Sequence, residues 1–281
     1  MAAVLVPQEV SLLFSSDTAI GARNVSADGS RFSVVMSTPL GVPAGAISAR
    51  MGVTTASIWN VTPNISADFG NNIFRYTTAD APAGTYTIVI PTGLYSLDAL
   101  GAFLSSQFVN NGHDPSLYTL SGDQATQSSV VTFLNAGDSV DFSVASSVSV
   151  ILGWPAPGPV IVAPVAGFNA YSPENATLNR TNSFAIVSDI VSTGIQQNGD
   201  NAGIMVSVPI TSPPGSQINF IPPVINWFPA EELIGKSRQS ATFYLTDQAG
   251  RPTPTLGETW QLTMVLQWQV LLSSMSVPLR P

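Results

Sequence analysis

Apolar and polar residues alternate in short runs along most of this chain. Val10, Leu12 and Phe14 alternate with Glu9, Ser11 and Ser15. Phe32, Val34 and Met36 alternate with Arg31, Ser33 and Ser37. A period of two is the signature of a strand with one buried face. The same reading gives strands over residues 73–77, 86–90, 117–120, 130–134, 140–144, 184–191, 204–210, 218–221 and 241–246. Residues 46–60 are long enough for two strands turning at Thr54–Thr55. The clearest strand comes last. Trp260, Leu262, Met264, Leu266, Trp268 and Val270 face one way, Gln261, Thr263, Gln267 and Gln269 the other, and Val265 breaks the pattern. That face predicts Trp260 and Trp268 in a core.

One segment departs from this period. Leu97, Leu100, Leu104 and Phe108 recur at helical spacing, behind Ser96 as N-cap and Asp98 in the first turn. The spacing predicts a helix of about four turns over 96–109, ended by the polar stretch 109–116. Residues 146–154 read as a single helical turn or a strand end, and residues 229–233 as one helical turn. Residues 64–72 read as a loop, and Pro155, Pro157, Pro159 and Pro164 interrupt regular structure up to about residue 166. The pattern is that of an all-β sandwich with a Greek-key or jelly-roll closure, and no internal repeat is visible.

Composition agrees. The 281 residues are 44% hydrophobic and hold 22 Gly and 22 Pro, many placed between apolar runs. Only 9% are charged, against roughly 25% in an ordinary soluble domain. A surface so poor in charge suits a protein packed against copies of itself. The net charge is −8, Lys236 is the only lysine, and the basic residues are scattered. No direct nucleic-acid binding is expected, since phosphate neutralisation needs a basic stripe. The absence of cysteine excludes disulfides and thiolate chemistry. No signal peptide is visible at the N-terminus, and no apolar run is long enough to span a bilayer.

Candidate chemistry is sparse. His113, the only histidine, lies beside Asp114 in a polar loop and reads as a solvated turn residue. Glu231 with Glu232, Asp138 with Asp141, and Asp247 with Glu258 are the carboxylate pairs a glycosidase would need. Glu231 and Glu232 fit the start of a helical turn better, and Asp247 fits the turn at 246–252. No enzyme is expected, and no cofactor. Residues 196–203 carry oxygen ligands suited to calcium, but the same residues make an ordinary turn, so no metal is expected. The sequons at Asn24, Asn60, Asn64, Asn175 and Asn179 follow from an Asn-, Ser- and Thr-rich composition and are not read as glycosylation sites.

Three motifs in order carry a family resemblance. The first is "IPTGLYSLDALGAFLSSQF", with Gly93, Tyr95 and Leu100. The second is "SVSVILGW", ending in Leu152, Gly153 and Trp154. The third is the tail, where "TDQAGRP" supplies Asp247, Gly250, Arg251 and Pro252 before the last strand. Together they resemble jelly-roll capsid proteins of the adenovirus-like lineage, and within it the vertex, or penton, proteins of virophages and polinton-like viruses. The resemblance implies a discontinuous jelly-roll sandwich of residues 1–65 and 178–281. Residues 66–177 would form an inserted β-rich subdomain that carries the helix. It implies a structural virion protein in the capsid, assembled inside the host cell. The protein would form a homo-oligomer, pentameric at a vertex, beside neighbouring capsid proteins and a host receptor or spike protein. Two alternatives stand. One is a trimeric major capsid protein with tandem jelly rolls broken near residues 155–164. The other is a carbohydrate-binding fibre or receptor-binding module with exposed aromatics in a concave site. No Arg-Gly-Asp motif is present.

Overall fold

The computed structural model describes residues 4–123, 125–178, 181–191, 195–197 and 200–272. The chain divides into two compact units, Met1–Val61 with Thr181–Pro281, and Thr62–Arg180. The first unit opens with strands β1 (Val4–Ser15), β2 (Ala22–Arg23), β3 (Arg31–Gly41) and β4 (Ala46–Trp59). The second contains β5 (Ile73–Thr78), β6 (Gly84–Val89), helix α1 (Leu97–Asn110), β7 (Tyr118–Asp123), β8 (Ser128–Phe133), β9 (Ser139–Asp141), β10 (Val160–Val162) and β11 (Asn169–Asn175). The chain then returns to the first with β12 (Ser183–Ser188), β13 (Ile195–Gln197), β14 (Asp200–Pro209), β15 (Gln217–Phe220), β16 (Phe228–Pro229), β17 (Ser237–Asp247) and β18 (Gln261–Leu272).

The first unit is a jelly roll. One sheet runs β1-β18-β4-β15 and the other β13-β14-β12-β17-β3-β2, every neighbouring pair antiparallel. Taken in chain order, the eight main strands are β1, β3, β4, β12, β14, β15, β17 and β18. The first pairs with the eighth, the second with the seventh, the third with the sixth and the fourth with the fifth. This is one long antiparallel hairpin rolled up into two four-stranded sheets. The second unit is inserted between the third and fourth of those strands.

The alternation read from the sequence is what fills this sandwich. Phe14 on one sheet meets Phe243 on the other with ring centroids 4.7 Å apart. Phe32 stacks on Phe243 at 5.2 Å and receives the edge of Trp260 at 4.9 Å. The Trp260 indole N–H donates to the Gly29 carbonyl at 3.0 Å, so this buried ring keeps its polar atom satisfied.

Residues 46–60 form one strand rather than two. The extra residue at Thr54 is absorbed as a bulge between Thr263 and Met264 of β18. The Thr54 hydroxyl donates to the Thr263 carbonyl at 3.1 Å, so a break in the ladder is bridged by a side chain. Val265 also finds its explanation. It pairs with Gly52 on the outer face of the sheet, yet it is buried. A Cβ on Gly52 would lie 2.4 Å from Ile225 Cγ2 and 2.8 Å from the Asn226 carbonyl oxygen. The connection between β15 and β16 therefore crosses the sheet here, over the only residue type that leaves room for it.

The second unit contains a four-stranded sheet, β10-β9-β5-β6, and a three-stranded sheet, β11-β8-β7. Strand β10 lies where the sequence predicted irregular chain, and β11 in a stretch for which no element was predicted. Both are short or interrupted: β10 has three residues, and β11 loses register between Tyr171 and Asn175, around Pro173. Such strands leave little periodic signal.

Helix α1 is specified at both ends. The Ser96 hydroxyl accepts the Ala99 N–H at 3.1 Å, with Asp98 in the first turn. At the far end the Gly112 N–H donates to the Val109 carbonyl and the His113 N–H to the Phe108 carbonyl, both at 2.9 Å. Gly112 has φ +85°. This is the Schellman arrangement, which needs a residue in the left-handed region and so favours glycine. Leu100, Leu104 and Phe108 are buried in a core with Phe74, Tyr76, Tyr118, Phe133, Phe142 and Trp154. Burial pushes the Tyr118 hydroxyl far above its ordinary range, helped by the Asp138 charge. The neutral hydroxyl donates to the Thr77 carbonyl at 2.8 Å.

Leu104→Ala should destabilise the protein by about 2–5 kcal/mol, the usual effect of a cavity at a fully buried leucine. Chemical denaturation followed by tryptophan fluorescence would measure it. A loss under about 1 kcal/mol would show that the helix does not bury this face.

Candidate functional site

The first motif is organised by a residue the sequence reading passed over. Asn64, buried, uses all of its side-chain amide. Its Nδ2 donates to the Tyr95 carbonyl at 2.8 Å and the Leu178 carbonyl at 2.9 Å, and its Oδ1 accepts the Tyr95 N–H at 2.9 Å. The backbone of residues 64 and 65 bonds with Gly93. One side chain thus ties together the start of the second unit, its end, and the turn that leads into α1. Gly93 lies under the Tyr95 ring, whose hydroxyl donates back to the Pro91 carbonyl at 3.1 Å. Leu100 is the first fully buried residue of the helix. In the sequence Asn64 stood out only as a loop residue and one of five sequons. Nothing local distinguishes an amide that closes a domain from one that faces water.

The second motif forms another close approach. Gly153 has φ +81°, and a Cβ there would lie 2.2 Å from the Glu174 carbonyl oxygen. A side chain at this position would be strained by its backbone and would strike main chain that cannot yield. Trp154 is buried with its ring centroid 4.8 Å from that of Phe142. Leu100 and Trp154 belong to one buried cluster, with Tyr95 packed on its margin.

Asp247, Gly250 and Arg251 lie in the other unit, in the turn after β17. Asp247 Oδ1 accepts the backbone N–H groups of Ala249 at 2.8 Å and Arg251 at 3.0 Å. Oδ2 accepts the Arg251 Nε–H at 2.8 Å and pairs with the same guanidinium at 2.6 Å. Gly250 has φ +75°. Burial alone would raise the Asp247 carboxyl. The hydrogen bonds from Arg251 and Ala249, together with the Arg251 charge, outweigh burial and hold it below the ordinary carboxylate value.

The candidates for catalysis are each accounted for by local structure. His113 is buried, not solvated, because the Schellman turn carries it back against the helix. Its Nε2 lies 3.0 Å from the Pro82 carbonyl, which can only accept, so Nε2 carries the proton. Its Nδ1 then accepts the Tyr76 hydroxyl at 3.0 Å, and Asn111 donates to that same hydroxyl at 2.9 Å. Asp114 turns away to accept from Ser116. Asp138 accepts the Ala79 N–H, while Asp141 holds Ser143 and faces Arg75 at 3.7 Å. Glu231 and Glu232 begin a 3-10 turn and are exposed. Glu258 is exposed as well.

Among the described residues no group of three or more His, Cys, Asp or Glu is placed to hold a metal ion. Of residues 196–203, Asn198 and Gly199 lie outside the described residues, as does Asn179 among the sequons. Asn60, like Asn64, is buried with its amide nitrogen committed, here to the Ser212 carbonyl at 2.8 Å. Neither is available to a glycan in the folded protein.

The second unit also has an open cleft of about 580 Å³, bordered by Phe69, Asn71, Ser143, Ser146, Val150 and Pro157. Its lining is neutral. Phe69 is half-buried and Phe142, at its floor, is buried, so no exposed ring is presented for stacking on a sugar.

No family model matches the chain, and none of the curated proteins matches it. Among solved structures, the chain is similar to the selenomethionine-labelled crystal structure of the mavirus penton protein. The similarity covers 93% of this chain and 99% of that one, at 9% sequence identity and a TM-score of 0.48.

Two substitutions probe these arrangements. Asn64→Asp keeps the shape but replaces two donors by an anion facing two carbonyl oxygens. It should destabilise by about 3 kcal/mol or more, measured by denaturation, as expected for an uncompensated buried charge. A neutral effect would show that Asn64 does not clamp the unit. Asp247→Asn removes the ion pair. The carboxylate is lowered on folding, so its contribution is complete above about pH 4, the ordinary carboxylate value, and is lost as pH falls through the lower folded value. The stability gap between wild type and Asp247→Asn should hold from pH 5 to 8 and shrink in acid. A gap that widened on acidification would contradict the turn's electrostatics.

Proposed function

We propose that this chain is a structural protein of an icosahedral virion, and that it builds the capsid vertex as a ring of five copies. The observation that carries the reading is an eight-stranded jelly roll in a chain unusually poor in charge. Only 9% of residues are charged, and the described residues form three ion pairs, all local or at strand margins. Leu5, Leu13 and Leu271 stand 49%, 61% and 52% exposed along paired strands β1 and β18, where a free monomer would gain from polar groups. Low charge and apolar side chains on sheet surfaces favour packing of like subunits around an axis, in head-to-tail contacts that close a ring. The order of the three sequence motifs supports the same reading. Its mechanism is association, with neighbouring capsid proteins and a receptor or spike protein as partners. A fold alone does not assign a function, so the weight rests on fold and surface together.

A trimeric facet protein would need tandem jelly rolls broken near residues 155–164, whereas the described jelly roll draws on both ends of the chain. A carbohydrate module is less well supported, given the missing exposed rings in the cleft.

Size-exclusion chromatography with light scattering should give five times the 29.4 kDa of one chain. Three times that mass would favour the facet reading, and a monomer at high concentration would count against both.

A further inference from the structure

The first unit keeps one strand edge open. Strand β1 pairs with β18 without a register break from Val4 to Ser15, and no described strand pairs along its other edge. Two observations decide which main-chain groups point to that open edge. The Ser16 N–H donates at 2.9 Å to the carbonyl of Trp260, the residue directly opposite, so the even-numbered residues make the bonds to β18. Pro7, an odd-numbered residue inside the strand, has no N–H to give and sits in the phase that needs none there. The N–H and C=O groups of Glu9, Ser11 and Leu13 therefore point away from the sheet, and all three residues are exposed. Among the described residues no turn or side chain bonds them.

Beside this edge the sandwich opens into a groove of about 530 Å³, lined by Val10, Leu12, Val34, Met36 and Trp268. Leu12, Val34, Met36 and Trp268 are only half-buried, and Val10 is 38% exposed. No charged side chain lines the groove. A strand laid along the edge would turn alternate side chains into this groove and the others to the outer face, beside Glu9, Ser11 and Leu13. The two faces ask for different chemistry. The groove takes apolar side chains. The outer face carries Glu9, which forms no ion pair among the described residues. The cation along its row is Arg50, two strands and about 10 Å away. Arg50 is already committed. Its Nε and Nη2 donate to Gln267 Oε1 at 2.9 and 2.6 Å, and its guanidinium lies 4.1 Å over the Trp227 ring.

We infer that the open edge of β1 binds an extended segment of another protein, with apolar residues at alternate positions and a basic residue opposite Glu9. Main-chain bonds to residues 9, 11 and 13 hold the segment, the groove selects its inward side chains, and Glu9 selects the outward one. Pro7 ends the ladder, so the bound segment is about five to seven residues long. A second copy of β1 fits the edge less well. Val4 to Ser15 contains no basic residue, so pairing two copies edge to edge would leave both Glu9 carboxylates without a cation. This inference is independent of the vertex reading.

The probe is a fluorescein-labelled peptide, "TKVTVKT", which reads the same in both directions, so either strand orientation sets a lysine opposite Glu9. Fluorescence anisotropy with the full chain should show saturable binding. Ser11→Pro removes one N–H from the open edge and none from the β18 ladder. It should weaken binding at least tenfold while the far-ultraviolet circular dichroism is unchanged. Equal binding by a folded Ser11→Pro, or no binding by the wild type, would overturn the inference. A charge exchange leaves the backbone alone and decides the matter even if Ser11→Pro does not fold. Glu9→Lys should bind "TEVTVET" several-fold more tightly than "TKVTVKT", the reverse of the wild-type order, and an unchanged order would sink the proposal. So would a dimer of the wild type that Ser11→Pro abolishes, because the edge would then belong to a second copy.

Discussion

The jelly roll depends on one pairing, the placement of β18 between β1 and β4. The last described strand of the chain is a central strand of its sheet, bonded on one side to the first strand and on the other to a strand about two hundred residues earlier. Until it arrives, β1 has no ladder partner. Leu262, Met264 and Leu266 of this strand join Phe14 and Phe243 in the buried core of the sandwich. Contacts this distant in sequence must be closed against chain entropy before they are rewarded. This fold is therefore expected to assemble late and cooperatively, with β18 as the locking element. The bulge at Thr54 and the crossing at Gly52 both adjust its neighbour β4 so that this strand fits.

The second unit solves a different problem. Its start and end must be held together by something other than a ladder. A single buried amide, Asn64, does this by bonding the main chain near residues 95 and 178. The helix then covers an aromatic core that two small sheets cannot enclose alone. Its capped ends, Ser96 and Gly112, make its length a local matter, and its buried face makes its position a tertiary one.

The polar chemistry of the molecule is spent on holding turns. Asp247 bonds two backbone amides and a guanidinium, Asp114 and Asp141 each fold around a serine two residues on, and His113 bridges a tyrosine and a carbonyl. Groups committed in this way are poor nucleophiles or bases, because each would have to give up a structural bond to act. The charges left on the surface, such as Glu9, Lys236 and Glu258, are few and scattered, and between them lie apolar and neutral side chains suited to contact.

Much of this was legible in the order of residues alone. Period two along β1, β3 and β18, helical spacing at Leu97, Leu100, Leu104 and Phe108, and turn residues between them determine the element types, because side-chain direction follows backbone period. The caps of α1 are local and were read as such. Four things were decided only by the tertiary structure. Thr54–Thr55 became a bulge and not a turn, since the partner strand continued past it. His113 was buried, since a glycine turn placed it against Phe108 and Tyr76. Val265 was covered, since a distant connection crosses Gly52. Asn64 became a clamp, since residues 95 and 178 came to it. For Thr54, Val265 and Asn64 the deciding neighbour is tens to hundreds of residues away, and for His113 a local turn acts together with the distant Tyr76, so no local pattern alone carries that information.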